Sequence, residues 1–221
     1  MNIKGKKIIL LGGNSSLVQN LLLSEAIDQK YSEIIIISHR DYIGLSRKFS
    51  IIDNLEPICI IEEFKKIFES SDDIVFDILV SNTPTKKIRL NSSTIEWAIS
   101  SLKLMNYFSK SDKVNKAIFL GSIISFVPLY RKGFYKSIKK IEFELFNNII
   151  NNDLKKVSFC ILPPLSPGVK GIGKLFSQPI NVWSKIIFEG FDTNTRIIMP
   201  SSLIGIISVS YTHLRAHETD R

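Results

Sequence analysis

The chain has 221 residues, of which 44% are hydrophobic and 23% are charged. This composition is typical of a globular protein and excludes a disordered or fibrous chain. The two cysteines, Cys59 and Cys160, lie far apart and outside any CxxC or CxxH pattern, which excludes a disulfide scaffold and a zinc ribbon. No apolar run approaches the ~18 residues that a membrane span needs. We therefore expect a cytoplasmic protein without a membrane partner.

The charge balance is basic, with 29 lysines and arginines against 21 acids and a formal net charge of +8. Such a surplus can serve nucleic acid, an acidic membrane surface or small anions. Here the basic residues are scattered in pairs and are not concentrated on one helix. The pattern predicts a solvated basic surface and no nucleic-acid partner.

Short β-branched runs alternate with longer amphipathic stretches along the chain. Strands are predicted at residues 7–11, 33–38, 57–61, 74–80, 116–120, 157–162 and 196–199. Helices are predicted at residues 16–27, 62–70, 93–109 and 133–151. Strands that are apolar on both faces and alternate with helices indicate an α/β fold with a doubly wound parallel sheet. Ligands of such folds bind at the carboxyl ends of the strands.

The chain shows no internal repeat and no linker, so one domain is expected over residues 1–209. Residues 210–221 differ from the rest, because they hold two of the three histidines and no Ile, Asn or Lys. They resemble a translated sequencing adaptor joined to a truncated reading frame, and we expect a non-native tail and a missing native C-terminus. His213 and His217 are spaced i, i+4 with no third ligand in view, so no metal site is predicted.

The first predicted strand runs into a glycine-rich turn made of Gly12, Gly13, Asn14, Ser15 and Ser16. Glycines let the backbone approach a pyrophosphate, and a helix N-terminus offers free N–H groups. A dinucleotide fingerprint carries further glycines, at positions that here hold Leu17, Val18 or Gln19. The turn is therefore either a degenerate phosphate loop or a plain strand-to-helix connection.

The second predicted strand ends at Ser38, His39 and Arg40. A site for NAD(H) places a carboxylate at this strand end, where it binds the adenosine ribose hydroxyls. Arginine instead forks onto phosphate, so a bound dinucleotide is expected to be NADP(H) in preference to NAD(H). Asp41 follows at once and offers Arg40 an alternative partner in an exposed ion pair.

The fifth predicted strand ends in Gly121 and Ser122, and Tyr135 and Lys139 follow in the next helix. Their i, i+4 spacing puts Tyr135 and Lys139 on one helix face. A nearby ammonium lowers the pKa of a tyrosine, so that the phenol can exchange a proton near neutral pH. A serine hydroxyl beside them can hold a carbonyl or alcohol oxygen.

In their order and spacing these residues resemble the short-chain dehydrogenase/reductase family, over about residues 6–202. Residues 81–84 (Ser-Asn-Thr-Pro) stand where the family has an Asn-Asn-Ala-Gly-like stretch, and Pro163 and Pro164 resemble its Pro-Gly turn beside the nicotinamide. The resemblance implies a Rossmann-like fold and a set of cofactor-binding residues: Gly12, Gly13, Asn14, Ser15, Ser16, His39, Arg40, Ser81, Asn82, Tyr135, Lys139, Pro163 and Pro164.

The same resemblance implies an NADP(H)-dependent oxidoreductase that interconverts a small-molecule carbonyl and a secondary alcohol. Tyr135 would exchange the proton, Lys139 would lower the pKa of Tyr135 and bind the nicotinamide ribose, and Ser122 would orient the substrate oxygen. The helix at 133–151, with an apolar stripe at Ile138, Ile141, Leu145 and Ile149, would pack against its mate in a homodimer or homotetramer.

The chain departs from the family at the later glycines and in the fourth helix, where Leu104 stands in place of a proton-relaying Asn and Asn106 lies two residues away. Three alternatives are therefore kept. The first is a catalytically inactive dinucleotide-binding scaffold of the same fold, the second is a sugar epimerase or dehydratase with the same dyad, and the third binds nucleic acid through the basic surface.

Overall fold

Nine strands and six α-helices make up the described part of the chain in a computed structural model, which covers residues 6–44, 49–71, 73–81, 92–123, 134–150, 156–163, 165–166 and 177–199. The strands are β1 Lys7–Leu11, β2 Glu33–Ile37, β3 Ser50–Ile52, β4 Phe76–Val80, β5 Val114–Ser122, β6 Val157–Leu162, β7 Leu165–Ser166, β8 Gln178–Pro179 and β9 Ile197–Ile198. The helices are α1 Ser16–Leu22, α2 Glu25–Lys30, α3 Ile60–Glu69, α4 Ser92–Lys110, α5 Phe134–Ile150 and α6 Ile180–Gly190.

Seven of these strands form one sheet in the order β3-β2-β1-β4-β5-β6-β9, and every neighbouring pair is parallel. The chain builds outward from β1 to β3, then returns to the other side of β1 and builds outward again from β4. This is the doubly wound parallel sheet that the sequence predicts. The direction reverses between β1 and β4, and the crevice outside the carboxyl ends of these two strands is the expected ligand position.

The strands are apolar on both faces because helices cover both. On one face, alternate strand residues pack with α3, α4 and α5 in a cluster that includes Ile9, Leu11, Phe64, Phe108 and Phe146. On the other face, the intervening residues pack with α1, α2 and α6 in a cluster that includes Ile8, Leu10, Val18, Ile27 and Trp183. The two clusters fix the sheet between two helical layers, so that the strand ends are held in register.

The predicted third strand at residues 57–61 is wrong. This segment forms a 3-10 helix at Pro57–Cys59 that leads into α3, and the third strand is the short edge segment Ser50–Ile52. Proline fixes a helical φ and needs no N–H partner at a first helical position, so Pro57 starts the helix. Periodicity alone does not separate a short apolar run in a strand from one in a helix.

The predicted first helix is also corrected, because it ends at Leu22 and a second helix begins at Glu25 after Ser24. Helix α6 was not predicted. Strands β7 and β8, a separate two-stranded parallel pair, were not predicted either. The tail at 210–221 lies outside the described residues.

Candidate active site

The reversal of strand order brings the ends of β1 and β4 into close contact. Gly12, which follows β1, has φ +89°, and a Cβ at this position would overlap the carbonyl oxygen of Ser81, which follows β4. The Ser81 hydroxyl donates to Ser15 Oγ at 2.9 Å. Only glycine combines this φ with so close an approach, so Gly12 is required by the packing of the crevice itself.

Gly13 has a similar packing role on the β2 side. A Cβ on Gly13 would overlap Ile36 Cγ2 and press on the Tyr42 ring. The amides of Gly12 and Gly13 both donate to the carbonyl oxygen of Ile37, at 2.9 and 3.2 Å. The turn is thus anchored to β2 and β4, the strands on either side of β1.

The helix that follows the turn carries apolar residues where a dinucleotide fingerprint has glycine. Ser15 is the N-cap of α1, and its Oγ accepts from the amide of Val18 at 3.2 Å. Leu17 and Val18 are buried in the core, and Gln19 Nε2 donates to the carbonyl oxygen of Gly13 at 2.6 Å. The missing glycines are therefore replaced by side chains that hold α1 and the turn in place.

Asn14 ties this turn to the loop that follows β2. Its Nδ2 donates to Ser38 Oγ at 3.1 Å and to the carbonyl oxygen of Asp41 at 2.9 Å, and its Oδ1 accepts from the amide of Ile43 at 2.9 Å. Three bonds from one amide fix the loop beside the glycine turn. The end of β2, which was expected to bind the adenosine ribose, is thereby held against the glycine turn, which was expected to bind the pyrophosphate.

Arg40 is exposed at this strand end, and its guanidinium has no hydrogen bond or ion pair within the described part of the chain. The alternative pairing with Asp41 is not formed within the described residues, and Asp41 Oδ1 accepts from Asn54 Nδ2 at 2.7 Å. His39 lies edge-on to the Trp97 ring, with 5.2 Å between centroids. Desolvation, with a smaller contribution from Arg40, lowers the pKa of His39, so the cation of this loop near neutral pH is Arg40.

Lys139 is anchored to the end of β5, at a residue close to Ser122 in the sequence. Ser122 is the last residue of the strand, and α5 places Tyr135 in its first turn and Lys139 one turn later. Lys139 is fully buried, and its Nζ donates to the carbonyl oxygen of Leu120 at 2.7 Å. The Lys139 ammonium is therefore anchored two residues before Ser122. The Tyr135 side chain lies outside the described part.

Glu142 is a site residue that the sequence reading missed. Its Oε2 accepts from Lys139 Nζ at 2.7 Å, and both side chains are almost completely buried. Burial lowers the pKa of Lys139, and the Glu142 carboxylate opposes this shift. The i, i+3 spacing of Lys139 and Glu142 was the available signal, but the expectation for this helix followed its apolar residues alone. The buried face of the helix includes Glu142 together with Ile138 and Phe146, and Ile141 is 50% exposed.

The remaining predicted residues divide into described and undescribed ones. Pro163 is buried directly after β6, and Ser16 is exposed at the start of α1. Asn82 and Pro164 lie outside the described residues. Leu104 is fully buried and Asn106 is exposed on α4, so the position that the resemblance gives to a relay Asn serves the core here.

Among the described residues, no group of three or more His, Cys, Asp and Glu side chains could hold a metal ion. No helix in the same ranges is both long and apolar enough to cross a membrane.

No protein-family model and no curated protein matches the sequence. Solved structures do match the fold. A short-chain dehydrogenase from Burkholderia cenocepacia in complex with NADP superposes with a TM-score of 0.69 at 13% identity, over 100% of this chain and 98% of that one. Uronate dehydrogenase from Agrobacterium tumefaciens gives a TM-score of 0.68 at 9% identity, over 92% and 83%. A dTDP-glucose 4,6-dehydratase from Bacillus anthracis in complex with NAD gives 0.54 at 14%, over 84% of this chain and 62% of that one.

Removal of the Glu142 carboxylate should destabilise the protein in a pH-dependent way. Glu142→Ala leaves the Lys139 ammonium buried without its counter-ion, and we expect the free energy of unfolding near pH 7 to fall by about 3 kcal/mol. Without Glu142 the pKa of Lys139 is lowered further than in the parent protein. Because the unfolded chain then binds more protons than the folded variant, the deficit should shrink as the pH rises toward the ordinary lysine pKa.

Urea unfolding at about pH 7 and about pH 9.5 measures this change. Glu144→Ala is the matched control, since Glu144 lies on the same helix in an exposed i, i+4 pair with Lys140 at 3.6 Å. The control should lose less than about 0.5 kcal/mol at both pH values. A Glu142→Ala deficit that is small, or that grows with pH, would contradict the buried ion pair.

Proposed function

The chain has the fold of the short-chain dehydrogenases/reductases, and we propose that it is an NADP(H)-dependent oxidoreductase that interconverts a carbonyl and a secondary alcohol. The observation that carries this proposal is the exposed Arg40, unpaired within the described residues, beside a glycine turn at the reversal of strand order. A guanidinium without a protein partner at this strand end suits an anionic group on the adenosine ribose.

The described residues fit a dinucleotide along this edge of the sheet. Gly12, with its positive φ, keeps the turn free of a side chain at the crevice, and Ser15 and Ser81 meet there through their hydroxyls. Arg40 would hold the 2′-phosphate. The full set that we propose to hold the cofactor is the one that the resemblance implies: Gly12, Gly13, Asn14, Ser15, Ser16, His39, Arg40, Ser81, Asn82, Tyr135, Lys139, Pro163 and Pro164.

Bound at this edge, a nicotinamide dinucleotide supplies or accepts hydride. The chain's own residues would then manage the proton and the substrate oxygen. Tyr135 would give its phenolic proton to the forming alkoxide, or take it in the oxidative direction, and Ser122 would orient the oxygen by a hydrogen bond. Lys139 would favour the phenolate of Tyr135 electrostatically and bind the nicotinamide ribose. The substrate class is a small-molecule carbonyl or alcohol, and a cytoplasmic location stays a prediction.

A catalytically inactive scaffold of the same fold is the second candidate. Two observations favour it: Val18 and Gln19 take part in packing and turn contacts in the region of the missing glycines, and the charge of Lys139 is already matched by Glu142. Such a protein would bind the dinucleotide without turnover.

The described surface also supports self-association. Ile95 and Ile99 on α4 are 39% and 45% exposed, and Ile141 on the adjacent helix α5 is 50% exposed. Exposed apolar side chains on neighbouring helices favour a protein partner. We propose that this face joins two copies of the chain in a homodimer or homotetramer.

Cofactor preference tests the first part of the proposal. Fluorescence titration should give micromolar binding of NADPH, and Arg40→Ala should weaken NADPH binding about tenfold or more while leaving NADH binding nearly unchanged, because only NADPH carries the 2′-phosphate. Arg196→Ala is the matched control, since Arg196 precedes β9 at the opposite edge of the sheet. Equal loss of both cofactors in Arg40→Ala, or no binding by the folded parent protein, would refute the proposed preference.

The catalytic role of Tyr135 is tested with a panel of carbonyl compounds and NADPH. Tyr135→Phe should lower the rate of NADPH oxidation by at least about 100-fold, because it removes the proton donor. NADPH affinity should stay unchanged. Tyr107→Phe, on the half-buried tyrosine of α4, is the control and should keep full activity. Undiminished turnover by Tyr135→Phe, or no turnover of any compound by a parent protein that binds NADPH, would favour the scaffold.

Light scattering tests the association face. Ile99→Glu combined with Ile141→Glu should convert the oligomer into smaller species, because both substitutions bury charge at the proposed contact. Val182→Glu, at an exposed valine on α6, should leave the mass unchanged. A parent protein that is monomeric at high concentration would contradict this face as an interface.

A further inference from the structure

The loops that follow β2 and β3 lie side by side and are joined through their backbones. The amide of Ser38 donates to the carbonyl oxygen of Ile52 at 2.8 Å, and the amide of Leu55 donates to the carbonyl oxygen of Ser38 at 3.1 Å. These bonds bring Asn54 beside Asp41, where Asn54 Nδ2 donates to Asp41 Oδ1 at 2.7 Å.

Asn54 lies in the loop that follows β3, directly before Leu55, which packs against the core. The φ of Asn54 is +52°, in the left-handed region that asparagine tolerates better than most residues. The Asn54 side chain is exposed and outside both core clusters. Within the described part of the chain, the Asn54 side chain bonds to the carboxylate of Asp41, so loss of the Asn54 amide would act through that carboxylate.

Asp41 is held from two directions. Asn54 takes its carboxylate, and Asn14 takes its backbone carbonyl oxygen at 2.9 Å. Asp41 and Arg40 form no ion pair within the described residues, although they are adjacent in sequence. Opposite charges next to each other in a surface loop ordinarily attract, and here the Asp41 carboxylate has the neutral amide of Asn54 as its partner instead.

The position of this carboxylate affects which anions Arg40 can bind. A carboxylate paired with Arg40 would compete for the guanidinium and repel an incoming phosphate. We propose that Asn54 is a positioning residue for cofactor specificity: by holding the Asp41 carboxylate away from Arg40, it favours a dinucleotide that carries a 2′-phosphate over one with a free 2′-hydroxyl. This inference rests on the proposed NADP(H) function.

The test compares NADPH and NADH binding by Asn54→Gly and the parent protein. Glycine adopts φ +52° without strain, so the backbone is kept while the amide is lost. The freed Asp41 can then reach Arg40, and the ratio of the NADH to the NADPH dissociation constant should fall about three- to tenfold, the scale of one exposed hydrogen bond. Asp73→Gly is the matched control, because Asp73 is exposed with φ +51° and should leave the ratio unchanged.

A double variant separates this electrostatic effect from a change in loop structure. Asn54→Gly combined with Asp41→Asn has no carboxylate to pair with Arg40, so it should recover the parent ratio. The role of Asn54 would be overturned if Asn54→Gly alone kept the parent protein's ratio of NADH to NADPH dissociation constants. It would also be overturned if the double variant kept the lowered ratio. Neither result would affect the proposal that NADP(H) binds. A folded parent protein that binds neither NADPH, NADH nor 2′,5′-ADP would instead overturn the proposed function, and this inference with it.

Discussion

The contact between Gly12 and the carbonyl oxygen of Ser81 is the constraint on which the rest of the site depends. It joins the ends of β1 and β4, where the strand order reverses, and it requires both a positive φ and the absence of a Cβ. From this point the chain enters α1 on one side, and the crevice opens between the two strand ends. The Ser15–Ser81 hydrogen bond continues the same contact outward. The packing of the backbone at Gly12 and Ser81 therefore forms the crevice.

Around this crevice the protein replaces features of the dinucleotide fingerprint with other interactions. Val18 packs from α1 into the core, and Gln19 Nε2 donates to the carbonyl oxygen of Gly13 and so closes the glycine turn. Asn14 binds the loop after β2 to the turn. At the other end of the site, Glu142 compensates the buried charge of Lys139. Among the described residues of the site, Arg40 is an exposed cation whose guanidinium has no protein partner.

Much of the fold followed from the sequence, because continuous apolar runs such as β1 and β2 have few other interpretations in an alternating chain. The prediction failed at Pro57, where a short apolar run is equally compatible with a helix, and at Ser50–Ile52, where a three-residue strand with two apolar residues is too short to form a pattern. In the site, Arg40 and Ser122 could be predicted because they stand at the ends of predicted strands. The partners Asn54 and Glu142 were missed. A hydrogen bond between two loops, such as that of Asn54, leaves no periodic pattern in the sequence, and a buried acid on an amphipathic helix, such as Glu142, resembles a solvent-exposed one.

The central claim is that a nicotinamide dinucleotide binds at the carboxyl ends of the strands. Backbone amide NMR during titration with NADPH tests it directly. We expect chemical-shift changes concentrated at Gly12, Ser15, Arg40, Ser81 and Ser122, which the fold brings to the carboxyl ends of the strands. The absence of chemical-shift changes would contradict binding at the carboxyl ends of the strands. So would changes that cluster at the amino ends, around the buried Asp77 and its partner Tyr31.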